Sequence, residues 1–330
     1  MRLGPEVAII LNVSALERTS GRISAPRRLA VIGIVAACAA AWTLGGPFAS
    51  SSANAAGGAK ASGPVDVLYA GSLLNLMQQK LGPAFHRATG YTVSGFSDGS
   101  KALASEIKGG TQVGDVFISA SPKVNATLQG ATNGNWVTTY GAFGRSPLVL
   151  GYNPASTFAK ALKTQPWYNV VDRRGFLLGR TDPATDPKGV LAVGALTGVA
   201  LSYDVPMLAP LATSASNIFP ETTLVGRLQA GQLDAGFFYA VEAAAAHLKT
   251  VPLTGTGLTA EYTVAVLRNA PHVAAAKAFV EFLLSTSGRK ILKANGVAPI
   301  SPVRFVTGSS EVTTTTAQST TSTSSTTQPS

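Results

Sequence analysis

The sequence predicts an α/β protein of two lobes, in which crossing strands join two sheets that are covered by helices. Short apolar runs alternate with segments of helical spacing between Pro64 and Pro302. The alternation occurs in two successive blocks, and the chain then returns to an apolar run and a long helix. We therefore expect mostly parallel sheets, with a ligand cleft between the carboxyl ends of their strands.

The first lobe is predicted to contain residues 64–148 and residues 258–306. Its opening strand, VDVLYA, leads into a helix from Ser72. The next strand, YTVSGF, leads into the helix SKALASEIKGG, whose apolar residues share one face, and GDVFISAS leads to a helix start at Pro122. PLVLGYN is a further buried strand. EYTVAVL and one long helix, HVAAAKAFVEFLLSTSGRKILKANG, complete this lobe.

The second lobe is predicted to contain residues 149–257. GFLLGR and AGFFY are its predicted strands. Helices are expected after DPKG, over ETTLVGRLQAG, and over the alanine-rich segment from Val241 to Leu248. The succession of these elements repeats the strand-and-helix pattern of the first lobe.

The N-terminal 55 residues have the pattern of a signal peptide with an extended basic region. Arg27 and Arg28 precede LAVIGIVAACAAAWTL, an uncharged run of about 16 residues that is shorter than the ~20 residues of a membrane span. Ala53-Asn54-Ala55 matches a cleavage site, whereas VAAC matches a lipobox that ends at Cys38. Cleavage near Ala55 and lipidation at Cys38 both remain open, and both predict an exported protein.

The remaining composition excludes several classes of function. The residues ahead of the apolar run contribute about +3 of the formal charge of +10, and the other basic residues are scattered and form no stripe, so we expect no nucleic-acid partner. Cys38 is the single cysteine, so the mature domain has no internal disulfide. His86, His247 and His272 lack ligand spacing, so we expect no histidine metal site. Residues 56–63 are a predicted linker, and the Thr/Ser-rich residues 307–330 are predicted to be disordered.

Three turns at predicted helix starts share one chemistry. They are Gly71-Ser72, Gly99-Ser100 and Asp186-Pro187-Lys188-Gly189. The first backbone N–H groups of a helix have no partner within the helix, so these turns could hold an anion. Ordinary capping remains an alternative, with serine or Asp186 as N-cap and Glu221 as a first-turn acid.

Several longer motifs are similar to one known family. VLYAGSL, GDVFISAS, GRTDPATDPKG, FPETTLVGRLQAGQLDAGFFY and NGVAPISP resemble the solute-binding proteins of molybdate/tungstate ABC transporters, most closely the archaeal-type branch. The resemblance covers nearly all of Val65 to Pro302. It implies a type II periplasmic-binding-protein fold, a molybdate or tungstate ligand, no catalysis, no cofactor and a membrane ABC permease as partner. It further implies a monomer in the periplasm or at the cell surface.

The resemblance also implies a ligand site. Its residues would be Gly71, Ser72, Ser100, Asp186, Pro187, Lys188, Glu221 and Tyr239. Lys188 stands where the archaeal-type proteins usually have cysteine, and Phe238 stands where they usually have glutamate. If the backbone N–H of residue 188 is the contact, the first of these changes is tolerable.

The two carboxylates in this set present an electrostatic problem, because like charges repel strongly in a dry pocket. The problem disappears if Asp186 and Glu221 bond directly to the molybdenum or tungsten atom of the ligand. These are hard centres that take oxygen donors and can expand their coordination beyond the tetrahedron, which sulfur in sulfate cannot do. The residues do not distinguish tungstate from molybdate.

Two other functions remain open at this stage. The same two-lobed frame could bind another oxyanion, such as sulfate or phosphate, because a fold does not determine its ligand. GFSDG also matches the G-x-S-x-G pattern of a serine hydrolase, with Ser97 as nucleophile. Asp182 or Asp186 and then His247 or His272 would complete its triad in the usual chain order.

Overall fold

The computed structural model describes residues 61–308. The predicted signal peptide, Cys38 and the Thr/Ser-rich segment from residue 309 lie outside the described residues. Within 61–308 the strands are β1 (Pro64–Ala70), β2 (Thr92–Asp98), β3 (Val116–Ser119), β4 (Thr139–Tyr152), β5 (Leu178–Gly179), β6 (Ala235–Tyr239), β7 (Lys249–Pro252), β8 (Thr259–Val266) and β9 (Ala298–Thr307).

The helices begin in most places where the sequence predicts them. They are α1 (Leu74–Leu76), α2 (Gly82–Thr89), α3 (Ser100–Gly109), α4 (Pro122–Ala126), α5 (Ala159–Thr164), α6 (Tyr168–Val171), α7 (Pro187–Ser202), α8 (Leu208–Thr213), α9 (Glu221–Gln229), α10 (Ala240–Ala245), α11 (Val273–Leu284) and α12 (Thr286–Ala294).

The strand order along the main path of the sheet is β2-β1-β3-β8-β4-β6-β5. Strand β4 is the link between its two halves. Residues 139–147 of β4 pair with β8 and β9, whereas residues 148–152 pair with β6 and β7. We call the part built on β1, β2, β3, β8, β9 and the first half of β4 sheet I. Sheet II is built on β5, β6, β7 and the second half of β4.

The expectation of mostly parallel sheets is wrong. Parallel pairing occurs between β1 and β2, between β1 and β3, and between β5 and β6. The pairs that β4 forms with β6, β7, β8 and β9 are antiparallel, as is the pair of β3 with β8. The alternation of strands and helices predicts parallel neighbours, but strands that cross between two sheets return in the opposite direction.

Two helical segments differ from their predictions. The helix expected from Ser72 begins as a 3₁₀ turn at Gly71–Leu73 and contains a π turn at Met77–Leu81, just before Pro83. The long helix predicted near the C-terminus is divided into α11 and α12 at Ser285, whose backbone is extended and whose hydroxyl accepts a hydrogen bond from the Gly288 N–H. An apolar pattern that continues across a cap does not show the break.

The core lies between the sheets and their covering helices. One large apolar cluster extends from β1 and α2 to Trp167, α7 and β6. In it the Phe85 ring packs edge-on against the Phe279 ring, with 5.3 Å between centroids. The Trp167 ring packs against Phe237 and donates a hydrogen bond to the Thr254 carbonyl at 3.2 Å. The first turns of α7, α9 and α10 lie close together beside sheet II.

Candidate functional site

Asp186 is the N-cap of α7, and Pro187 follows it within the first turn. Its Oδ1 accepts a hydrogen bond from the Lys188 backbone N–H at 2.8 Å. The capping interpretation of Asp186 is therefore correct, but it uses one carboxylate oxygen only. Asp186 Oδ2 is buried and has no hydrogen-bond partner among the described residues, so it is free to bind a ligand atom.

Lys188 contributes its side chain to the site. The backbone N–H, which we considered as a ligand contact, already donates to Asp186. The ammonium is fully buried and lies 3.0 Å from Glu221 Oε1. It also lies 3.0 and 2.8 Å from the two carboxylate oxygens of Glu242. A buried lysine thus forms the centre of an ion-pair network in the first turns of α7, α9 and α10.

The position of Phe238 accounts for one departure from the family pattern. Its ring centroid lies 5.7 Å from the Lys188 ammonium, and the Tyr239 centroid lies 5.9 Å from it. Phe238 itself is fully buried beside Leu224, Leu228 and Leu233. The two departures at positions 188 and 238 therefore meet in space, with a cation above an aromatic ring.

The Glu221 side chain extends from α9, which lies beside sheet II, to the turn that follows β1 in sheet I. It is the first residue of α9 and is 8% exposed. Its Oε2 is buried without a hydrogen-bond partner among residues 61–308. A side chain at Gly71 would overlap this carboxylate. Glycine at position 71 thus leaves room for the Glu221 carboxylate and does not serve a left-handed backbone, because Gly71 does not have a positive φ.

Ser72 and two tyrosines supply hydroxyl groups. The Ser72 and Tyr262 hydroxyls share a hydrogen bond of 2.9 Å, in which either oxygen can donate. The Tyr239 ring packs edge-on against Tyr262, with 6.1 Å between centroids. Tyr239 OH is buried and has no partner within the described part of the chain. Donors to an oxyanion are therefore available beside the carboxylates.

Several polar groups at the start of α3 already have hydrogen-bond partners. Ser100 Oγ accepts a hydrogen bond from the Ala120 N–H at 3.1 Å, which leaves the hydroxyl hydrogen available for a ligand. The N–H groups of Lys101 and Ala102 donate to the Thr185 carbonyl at 3.0 and 3.1 Å. The expectation that this helix start exposes free N–H groups is wrong for these two, because a carbonyl from sheet II caps them.

The loop that contains Thr185 also explains why glycine stands at position 99. A Cβ at Gly99 would lie 2.6 Å from the Thr185 carbonyl oxygen and 3.4 Å from Asp186 Cβ. The Lys101 ammonium donates to the Pro183 carbonyl at 2.7 Å across the same junction. These contacts join the start of α3 to the segment that carries Asp186, so the residues predicted for the site lie in one connected group.

A cavity of about 270 Å³ opens at this junction. Its walls include Gly99 and Ala102 at the start of α3, on the side of sheet I. On the side of sheet II they include Thr181, Asp186 and Glu221. This volume suits a small ligand, and its walls come from both halves of the sheet.

The charge of the site is dominated by carboxylates. Burial and the neighbouring Asp186 raise the pKa of Glu221 to about 8, against the opposing effect of Lys188. Burial likewise raises the pKa values of Asp186 and Glu242, again against Lys188. Burial by itself lowers the pKa of Lys188, but the surrounding carboxylates outweigh it and raise that pKa. The lysine therefore stays charged, whereas Glu221 loses its proton at a higher pH than an exposed carboxyl group does.

Raising the pH from about 5 to 8 should destabilise the ligand-free protein through Glu221. Its pKa is near 4.5 when exposed and about 8 in the folded chain. The folded state therefore binds more protons in this interval, so the free energy of unfolding falls as the pH rises. Urea unfolding of the wild type and of Glu221→Gln across this range would measure the effect. Equal pH slopes for the two proteins would contradict it.

Three residues that contribute to the site were not predicted from the sequence. They are Glu242 and Tyr262, which lie outside the recognised motifs, and Thr185, which enters the site through its backbone carbonyl. Glu242 carried a signal, because it follows the Tyr239 N-cap by three residues, which is the spacing of a capping box. The roles of Tyr262 and Thr185 depend on contacts between distant segments, and a single sequence does not show these.

Comparison with known proteins bears on the class of this site. A family model of bacterial extracellular solute-binding proteins matches residues 65–298. The chain belongs to this family. The putative ABC transporter molybdenum-binding protein of Haloferax volcanii is 29% identical over 82% of this chain and 91% of its own length. The molybdate/tungstate-binding protein WtpA of Pyrococcus abyssi is 25% identical over 49% of this chain and 62% of its own length.

Solved structures confirm the predicted fold of this solute-binding protein. The periplasmic molybdate-binding protein of Azotobacter vinelandii superposes with a TM-score of 0.54 and 21% identity, over 71% of this chain and 98% of that one. The sulfate-binding protein SubI of Mycobacterium tuberculosis gives a TM-score of 0.54 and 17% identity, over 72% and 88%. Both likenesses concern the fold, and the site residues must identify the ligand.

The hydrolase pattern at Ser97 has a different setting in this solute-binding protein. Ser97 lies within β2, before the strand ends at Asp98, and not at a strand-to-helix turn.

His272 Nδ1 lies 3.0 Å from Asp115 Oδ2, and the backbone N–H groups of Asp66 and His272 donate to the same carboxylate. Asp66, Asp115 and His272 are thus a histidine–carboxylate group that the spacing did not predict, and their contacts join β1, β3 and α11.

The described residues also bear on membrane association. Among residues 61–308, no helix combines the length and the apolar character that crossing a membrane requires.

Proposed function

We propose that this solute-binding protein captures tungstate or molybdate and delivers it to an ABC permease, as a monomer without catalytic activity. The observation that carries the proposal is the pair of buried, unpartnered carboxylate oxygens, Asp186 Oδ2 and Glu221 Oε2, beside hydroxyl donors. The H. volcanii relative is named as a molybdenum-binding protein and the P. abyssi relative as a molybdate/tungstate-binding protein, which supports the same ligand class.

The carboxylates discriminate between tetrahedral anions. Sulfate has neither an atom that can accept a carboxylate oxygen nor a proton to donate to one, so Asp186 and Glu221 would repel it. Tungstate and molybdate can take both oxygens into an expanded coordination of the metal, which converts the repulsion into bonds. We assign Gly71, Ser72, Ser100, Asp186, Glu221 and Tyr239 to the ligand site, with Pro187 and Lys188 supporting it.

Calorimetric titration of the purified domain with tungstate, molybdate and sulfate tests the proposal directly. We expect tight binding of the two metal oxyanions and weak binding of sulfate. Preference for sulfate would show that the site is an ordinary tetrahedral-anion pocket.

Ser72→Ala and Ser100→Ala should each weaken tungstate, molybdate and sulfate binding alike. Each change removes one hydroxyl donor to a charged ligand, a contact of roughly 1.5–3 kcal/mol. Ser105→Ala is the control, because the Ser105 hydroxyl is exposed on α3 and bonds only to the Lys101 carbonyl. A loss confined to the metal oxyanions would contradict the assignment of these serines.

We further propose lobe boundaries and a closing motion. The first lobe contains residues 64–148 and 258–306, the second contains residues 149–257, and the chain passes between them within β4 and again just before β8. The contacts of Lys101 and Ala102 with Pro183 and Thr185 link the two across the cleft. Small-angle scattering should show a smaller radius of gyration when tungstate is added. Identical profiles with and without ligand would argue against closure.

The family is extracellular, and we propose two alternative ways in which the N-terminus of this chain is processed on export. Either the signal peptide is cleaved near Ala55, or Cys38 carries lipid at the mature N-terminus. Mass spectrometry of the native protein distinguishes the two, and an intact Met1 would exclude both.

A further inference from the structure

The Lys188 ammonium makes three short contacts, and all of them are to carboxylates. One is to Glu221 Oε1, and two are to the oxygens of Glu242. An ammonium has three N–H donors, so these contacts use the full set. A lysine in this arrangement has no N–H directed at an oxyanion, although its charge suggests that role.

Glu242 is itself held firmly. It lies in the first turn of α10, is 7% exposed, and has both carboxylate oxygens within 3.0 Å of the Lys188 ammonium. The rings of Phe238 and Tyr239 flank the ammonium on another side. Lys188 therefore cannot move toward the cavity without breaking two contacts with a buried carboxylate.

Glu221 is the partner in this network that lines the cavity. Lys188 binds one of its oxygens, and the other lies beside Gly71 without a hydrogen-bond partner among the described residues. The position of Oε1 sets the position of Oε2, because the two oxygens belong to one rigid group. The Lys188 contact thus determines where the free oxygen of Glu221 points.

We propose that Lys188 and Glu242 are positioning residues that aim Glu221 Oε2 at the central atom of the oxyanion, and thereby determine selectivity without contacting the ligand. The inference rests on the proposed function. Groups that orient a ligating carboxylate typically contribute about 10- to 100-fold to affinity for the metal. We assign that contribution here to tungstate and molybdate, and not to sulfate.

A simple electrostatic role predicts the opposite result, and Glu242→Gln separates the two. This change removes a negative charge near a dianion, so charge alone would strengthen binding of every oxyanion. Positioning predicts that tungstate affinity falls about 10- to 100-fold, because Lys188 loses a charged partner and no longer holds Glu221 in place. Sulfate affinity should stay the same or increase.

The experiment is calorimetric titration of tungstate and sulfate into the wild type, Glu242→Gln, Lys188→Arg and Glu281→Gln. Lys188→Arg keeps the positive charge but changes its geometry, so it should show the same selective loss. It also tests the proposal if Glu242→Gln does not fold, as judged by its melting curve. Glu281→Gln makes the same charge change at an exposed position of α11 and should behave as the wild type.

The outcomes distinguish this inference from the proposed function. Wild-type protein that prefers sulfate would overturn the proposed function, and this inference with it. Tungstate-selective wild type together with folded Glu242→Gln and Lys188→Arg that keep tungstate affinity within about twofold would overturn the positioning role alone. A loss of equal size for tungstate and sulfate would also overturn it, since it would show a general electrostatic effect.

Discussion

Glu221→Gln should weaken tungstate and molybdate binding by more than about a hundredfold, a loss of roughly 3 kcal/mol for a contact to a charged group. The amide keeps the size of the side chain, but its neutral oxygen is a poorer donor to a hard metal centre. The amide has a single oxygen, so it cannot both accept from the Lys188 ammonium and offer an oxygen to the metal. Calorimetric titration with the three oxyanions measures the effect.

The same substitution should leave sulfate binding unchanged or make it stronger. Sulfate cannot accept the carboxylate oxygen, so removing a negative charge beside it is favourable or neutral. Ser72→Ala, by contrast, should reduce affinity for all three anions. Intact tungstate affinity in Glu221→Gln would show that the carboxylate does not bond to the metal.

Gly189→Ala should destabilise the protein and weaken ligand binding. A Cβ at Gly189 would lie 2.5 Å from the Thr181 carbonyl oxygen and 2.6 Å from backbone atoms of Asp182 and Pro183. Backbone cannot move aside as a flexible side chain can, so we expect a loss of about 1–3 kcal/mol in the free energy of unfolding. The displaced segment leads directly to Asp186, which explains the effect on binding.

Gly198→Ala is the matched control in the same helix. Gly198 is exposed, and a Cβ there meets no atom within 4 Å. Alanine in the interior of a helix is favoured over glycine, so this change should stabilise the protein by about 0.5–1 kcal/mol. Urea unfolding of both variants measures the two effects. Equal changes of the same sign would refute the account of Gly189.

Much of the fold followed from local patterns. The starts of α3, α4, α7 and α9 were predictable because Gly-Ser, Pro and Asp-Pro turns specify helix starts through their own backbone preferences. The strand directions were not predictable in this way. Residues 139–147 of β4 continue a strand that appeared to begin at Pro147, and their pairing with β8 and β9 depends on segments more than a hundred residues away.

The sequence by itself determined which residues are candidates for the site, since short motifs identify glycines, hydroxyls and carboxylates at helix starts. Only the tertiary structure decided how they act. It shows that Gly71 makes room for Glu221, that a carbonyl of Thr185 caps α3, and that Lys188 faces Glu221 and Glu242. The physical reason is that burial and ion pairing depend on distances between segments remote in the chain, whereas capping depends on neighbours within one turn.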